Sequence, residues 1–260
     1  MRVRLTRRSF LALAAGLAGI TAVSALHDTW APEVTEVELG LGLGLTVMVV
    51  TDLHLHGWGW REEAVLDALI EASRRADVAV VLGDTYDQAT PSLELVGKML
   101  KPLDLPKLGV LGNHEHWATG RFPLQEGIAA LEATGVRLLL NEAVEIKGVR
   151  FGGIDWYEDE VGLARSYLSR VGEVDVLLSH TPDVAGLSPR ARVVLAGHTH
   201  GGQVCLPLLG PLWVPSRYGA RFASGLFRLG ESYLYVSRGL GESVLPVRIN
   251  CKRELPLIHL

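Results

Sequence analysis

Apolar residues in this chain come in short unbroken runs, each cut off by a glycine or a polar side chain. Residues 78–82 read Val-Ala-Val-Val-Leu and stop at Gly83. Residues 46–51, 107–111, 174–179 and 192–196 have the same form. A short apolar run without alternation predicts a strand buried on both faces, as in a parallel sheet covered by other layers. Between the runs, residues 62–76, 93–100, 124–134 and 160–171 are predicted as helices. In the first of these Val65, Leu66, Leu69 and Ala72 share one face. Strands alternating with helices predict the α/β class. Residues 33–39 alternate polar and apolar, which predicts an edge strand. The glycine-rich residues 40–44 read as a turn, because no helix follows and the spacing fits no dinucleotide fingerprint. Residues 144–146 and 149–154 flank Lys147-Gly148 and predict a hairpin. Beyond residue 203 only short β-like stretches stand out, at 232–237 and 254–259. No repeat and no internal linker interrupts the pattern, so residues 31–260 are expected to form one domain.

The first thirty residues are different. Arg7 and Arg8 precede an uncharged apolar stretch, residues 9–26, that ends in small side chains. This is the layout of a secretory signal peptide. Arg7-Arg8-Ser9-Phe10-Leu11 resembles a bacterial twin-arginine signal. That resemblance implies the twin-arginine export machinery as a partner. It implies a periplasmic, cell-wall or membrane-anchored destination. The same stretch also reads as an uncleaved anchor, although a spanning helix needs ~20 apolar residues. Membrane or cell-wall association is therefore a companion expectation.

The chain is long enough for a substantial core at 260 residues, and 48% hydrophobic residues exclude disorder. A net charge of -4 gives no reason to expect specific nucleic-acid binding. Cys205 and Cys251 lack zinc-site spacing. In an exported protein they could pair; otherwise each is a small buried apolar residue.

The chemistry gathers where the apolar runs stop. In open α/β sheets, ligands bind beyond the carboxyl ends of strands. Asp52 and His54 follow the first run, Asp84 the second, Asn113 the third, His180 the fourth, and His198 and His200 the fifth. Residues two apart on an extended chain project to one face, so Asp52 with His54, and His198 with His200, can grip an ion from one side. A lone histidine is more often a satisfied core residue, but a set distributed over five strand ends is not explained that way. The set has no thiolate and suits Mn, Fe, Zn or Co. His56 is expected in a loop near the site, His116 as a solvated neighbour, and Glu115 as a brace. Trp58 and Trp60 read either as a wall for a leaving group or as a lid packed on itself. Trp117 and Trp156 are further candidates to shape the substrate pocket.

Asp52-x-His54, Gly83-Asp84-x-x-Asp87, Gly112-Asn113-His114-Glu115, His180 and Gly197-His198-x-His200 together resemble the calcineurin-like metallophosphoesterase superfamily. The resemblance covers residues 46–202. The stretches around Gly201, Ser237 to Gly241 and residues 246–256, with the twin-arginine start, further resemble its exported YkuE/YaeI-like phosphodiesterase branch. The resemblance implies a four-layer α-β-β-α sandwich with metal ligands on loops at the carboxyl ends of strands. It implies two divalent ions, one held by Asp52, His54, Asp84 and His200, the other by Asp84, Asn113, His180 and His198. The activity it implies is hydrolysis of phosphodiesters, and of monoesters, by a metal-bridging hydroxide. His114 would be the general acid, oriented and kept cationic by Asp87. Arg217 and Arg238 are candidates for phosphate contacts, since a guanidinium fork suits phosphate oxygens. Two other functions stay open. One is a pyrophosphate-cleaving hydrolase of a lipid-linked sugar nucleotide such as UDP-2,3-diacylglucosamine. The other is a non-catalytic cell-wall or metal-binding module.

Overall fold

The apolar runs become strands in two six-stranded mixed sheets. The computed structural model describes residues 6, 7, 16, 19, 28, 30–207 and 209–260. Nearly all of the segment read as a signal or anchor lies outside the described residues.

In the first sheet β2 (Thr46–Val50), β3 (Val78–Val81), β4 (Lys107–Gly109) and β5 (Val136–Leu138) run parallel, in that order. Beside β2 lies β14 (Glu254–His259), antiparallel to it, and β1 (Glu33–Glu38) forms the edge. The second sheet has β7 (Val149–Gly153), β8 (Val174–Leu178), β9 (Ala191–Ala196) and β13 (Ser232–Val236) parallel at its centre. Its antiparallel edges are β6 (Glu142–Ile146), the first arm of the predicted hairpin, and β12 (Gly225–Leu229). The edge strand β12 escaped the sequence reading because Arg228 breaks its apolar run and it is only half-buried.

Side-chain alternation within each buried strand builds the layers. Val47, Val49, Val78 and Val80 meet Phe151, Val176, Val193 and Leu195 between the sheets. Their sequence neighbours Met48, Val50, Ala79 and Val81 turn outward, under Leu69, Met99 and Leu131. These three come from α1 (Trp60–Ser73), α2 (Glu94–Leu100) and α4 (Leu124–Glu132). On the far side Leu177, Val194 and Leu234 pack against Ala164 and Val171 of α5 (Val161–Val171). The four-layer α-β-β-α order therefore follows from apolar residues at consecutive strand positions. Each strand has both faces covered, which is why its pattern is unbroken.

Candidate metal centre

The carboxyl ends of β2, β3 and β4 from one sheet, and of β8 and β9 from the other, open toward a common point. Asp52, His54, Asp84, Asn113, His180 and His200 are all buried there, and His198 is half-buried. Potential ligand atoms of Asp52, His54 and His200 lie within 4.8 Å of one another, and so do those of Asp84, His180 and His198.

Asp84 stands between the two groups. Its Oδ1 accepts from the His114 backbone N–H at 2.9 Å. Its Oδ2 faces His180 Nε2 at 3.2 Å and His54 Nε2 at 3.6 Å. Asn113 Oδ1 lies 3.0 Å from His180 Nε2, which is also 3.0 Å from His198 Nδ1. His54 Nε2 and His200 Nε2 are 3.2 Å apart. Such crowding of lone-pair atoms suits shared cations. The all-oxygen-and-imidazole donor set fits two divalent ions.

Second partners fix which ring nitrogen faces the centre. His180 Nδ1 donates to the Leu82 carbonyl at 2.7 Å, leaving Nε2 for a ligand. His54 Nδ1 donates to Asp87 Oδ2 at 2.9 Å, again freeing Nε2. Glu115 Oε2 accepts from the backbone N–H groups of Asp84 and Gly112, and Oε1 from that of Thr85, so it ties two ligand loops together. Asp52 accepts from the His198 backbone and from the Thr51 hydroxyl. At Gly112 a Cβ would overlap Asp84 Oδ1. Only glycine allows this approach of β4's end to β3's.

The alternation argument for the His-x-His and Asp-x-His pairs needs correction. Asp52, His54, Asp84, His198 and His200 all have positive φ, between 43° and 71°. The pairs are not on extended backbone; the chain coils left-handed at each ligand. Asp and His tolerate that region better than most residues, and such conformations cluster at functional sites.

The charges in the centre form a connected pattern. Burial alone would lower His180, but the Asp84 carboxylate lifts it to about 9. A proton there occupies ground a cation would take. Burial and the His180 charge push His198 down to about 3. Against its burial, Asp84 is held well below the usual carboxylate range by His180 and His54. Asp52 is raised, chiefly by burial. Metal uptake therefore displaces protons.

Asp87 does not orient His114. Its Oδ2 takes His54 Nδ1 and, at 2.6 Å, His56 Nε2, while Oδ1 accepts from the Ala89 N–H. The loop after β3 brings Asp87 beneath the end of β2, where His54 and His56 reach it first. His114 Nδ1 is buried without a hydrogen-bond partner among the described residues. Burial lowers the His114 pKa, against the opposing pull of the Asp84 and Asp87 carboxylates. Asp87→Asn is accordingly expected to weaken metal affinity about 10–100-fold, with the same loss for good and poor leaving groups. Metal titration beside a leaving-group series checks this.

The arginine candidates are also committed elsewhere. Arg238 pairs with Glu254 and Glu33, and Arg217 with Asp159 and Asp183. Each guanidinium is drawn to carboxylates of its own surroundings. His116 bonds Asp155 at 2.9 Å and is no free neighbour. Trp58 packs on the helical core with Lys98 over its ring, and Trp60 stacks on Trp30, so neither walls the centre. Trp156 does: its ring lies 5.9 Å from that of His180 and 5.4 Å from that of His198. Trp117 lies 5.3 Å from His114. Asn113 to Trp117, expected as a loop, form the short helix α3. Arg248 was not singled out in the sequence. It is fully buried and donates to the carbonyls of His200, Arg238 and Gly241, bracing the backbone behind His200. No periodicity marks it. Cys205 and Cys251 are free thiols.

Residues 45–202 match the model of the calcineurin-like phosphoesterase family. The chain belongs to that family. Among its relatives are an uncharacterized metallophosphoesterase of Aquifex aeolicus, 31% identical over 67% of this chain and 69% of that protein, and the metallophosphoesterase YkuE of Bacillus subtilis, 29% identical over 68% of this chain and 63% of YkuE. The phosphodiesterase YaeI of Escherichia coli is 36% identical, but over only 33% of this chain and 32% of its own. The chain thus aligns with less than two thirds of YkuE and about a third of YaeI. The fold matches the crystal structure of TT1561 of Thermus thermophilus at a TM-score of 0.52, 13% identity, 75% coverage of this chain and 90% of that one. Family membership and the buried His/Asp clusters agree with one another: both point to a centre that could hold metal ions.

Proposed function

We propose that the chain hydrolyses phosphodiesters, and monoesters more slowly, at a two-metal centre shared through Asp84, and that it works outside the cytoplasm after twin-arginine export. The observation that carries the reading is Asp84 Oδ2, set between His54 Nε2 and His180 Nε2. Asp52, His54 and His200 would hold one ion with Asp84; Asn113, His180 and His198 the other. When bound, the ions supply Lewis-acid activation of water and offset charge on the phosphoryl oxygens. Manganese is the proposed metal, with Fe, Zn and Co matching the same donors.

The protein's own residues do the rest. Asp87 and the Leu82 carbonyl fix the rings of His54 and His180. Trp156 shields the rings of His180 and His198. His114 stands beside Asp84 with Nε2 4.0 Å from Oδ2, and its side chain is partly open to solvent. We assign to it the proton for the departing oxygen.

The test begins with chelated protein. It should be inactive on a chromogenic diester, and one of the four metals, added singly, should restore turnover. Full activity after chelation, or no recovery with any of them, would overturn the proposal. Protease added to intact cells should cut an exported domain and spare a cytoplasmic one.

A further inference from the structure

Large apolar side chains exposed among the described residues are not scattered. All but Val34, Trp117 and Leu226 fall into three groups. Trp30 stacks on Trp60, with ring centroids 4.3 Å apart. Val244 and Leu245 stand in the loop after Glu242, and Val244 is 86% exposed. The third segment is a small hairpin of β10 (Cys205–Leu206) and β11 (Gly210–Pro211). There Leu209 is 79% and Trp213 69% exposed, with Leu212 between Pro211 and Trp213 also open. Residues 203–216 carry no charged side chain.

Hydrogen bonds tie the segments into one face. Arg61, beside Trp60, donates to the Pro246 carbonyl. Gln203 donates to the Leu245 carbonyl at 2.7 Å and accepts from the Ser243 N–H. Cys205 N–H donates to Ile249. The face adjoins the metal centre at two places. The hairpin follows directly from the His200–Gly202 turn. A cavity of about 410 Å³ is lined by His54 and His56 together with Arg61, Val244 and Pro246.

We propose that this face docks on a lipid bilayer, so that the phosphoester it presents to the metals belongs to a membrane lipid or lipid-linked headgroup. An apolar surface of this kind on a soluble fold marks an interaction site. Three observations choose the bilayer over a second copy of the chain. Tryptophans at the rim suit the headgroup level of a membrane. Arg61, 5.0 Å over the Trp60 ring, sets a cation at that level. Asp28, two positions beyond the uncharged stretch of residues 9–26 in the sequence, is held at this face: its carboxylate accepts from Cys251 N–H, and the neighbouring Asn250 donates to Cys205 O. Amphipathic docking strengthens with the apolar area it buries. The cavity then admits a headgroup from the bilayer side while acyl chains stay in the lipid. The substrate half of this inference rests on the phosphoesterase reading; the docking half does not.

Two measurements on the full chain test it. Vesicles of phosphatidylcholine and phosphatidylglycerol with brominated acyl chains should quench tryptophan fluorescence, and Trp213→Phe should remove part of the quenched component. Residues 9–26 contain no tryptophan, so attachment through that stretch alone would leave Trp213 unquenched and overturn the proposal. Leu209→Asp combined with Leu212→Asp should lower turnover of a vesicle-borne phosphoester by roughly tenfold or more, with a soluble diester unaffected. A variant that changes the oligomeric state and leaves vesicle turnover intact would assign the face to a second copy and overturn docking. If the metal-loaded chain hydrolyses no ester at all, the phosphoesterase reading fails, and the quenching result still decides the docking.

Discussion

Asp84→Asn is expected to reduce metal content to one ion per chain or none, and to lower phosphoester turnover by about a thousandfold or more. The carboxylate uses both oxygens. Oδ1 is fixed by the His114 N–H, and Oδ2 lies between His54 and His180. An amide has one oxygen. If that oxygen keeps the His114 N–H, the NH₂ group points at the cations. If it turns to the cations, the NH₂ group meets the His114 N–H, donor against donor. Either way the two positions lose their shared negative charge, and side-by-side cations repel without it. Elemental analysis with steady-state rates decides the matter; two retained ions at the wild-type rate would refute a shared role for Asp84.

His114→Asn should separate binding from chemistry. Its ring stacks edge-on against His54 at 4.7 Å between centroids; it groups with His54 and Asp87, whose Oδ2 is already taken by His54 and His56, and lies outside the groups that contain Asp52 or His198. Metal content is therefore expected to hold. Turnover should fall by roughly 10²–10⁴-fold for esters with poor leaving groups and far less for nitrophenyl-type esters, which depart without a proton. A uniform loss across the leaving-group series would remove His114 from the acid role. The same series distinguishes it from Asp87, whose hydrogen bonds go to His54 and His56.

The layers, and the gathering of Asp52, His54, Asp84, Asn113, His180, His198 and His200 at one point, were legible in the sequence because each rests on a local signal. A buried strand leaves an apolar run, and a candidate ligand stands where the run stops. The hairpin at Lys147-Gly148 was legible for the same reason: its turn chemistry is written in adjacent residues. The partners of side chains were not. Asp87 sits three residues beyond Asp84, and nothing in that spacing tells whether it reaches His54, His56 or His114; the end of β2 decides it. Arg217 and Arg238 look like free cations in a sequence, yet Asp159 and Glu254, far from them along the chain or packed in another strand, claim them. Trp58 and Trp60 share a loop with His56, but one turns into the core and the other out to Trp30. Arg248 had no signal because a buried arginine answering backbone carbonyls leaves no periodic trace.

The left-handed backbone at Asp52, His54, Asp84, His198 and His200 bears on how quickly the centre fills. A ligand loop free to relax would spend most of its time in other shapes, and each ion would have to wait for the right one. Here the Glu115 carboxylate ties the Asp84 and Gly112 loops together, and the Asp52 carboxylate holds the His198 backbone, which favours a cradle formed before an ion arrives. Calorimetry of ion uptake should then register proton release and little heat-capacity change, the signature of a rigid receptor rather than of a loop that folds around its guest.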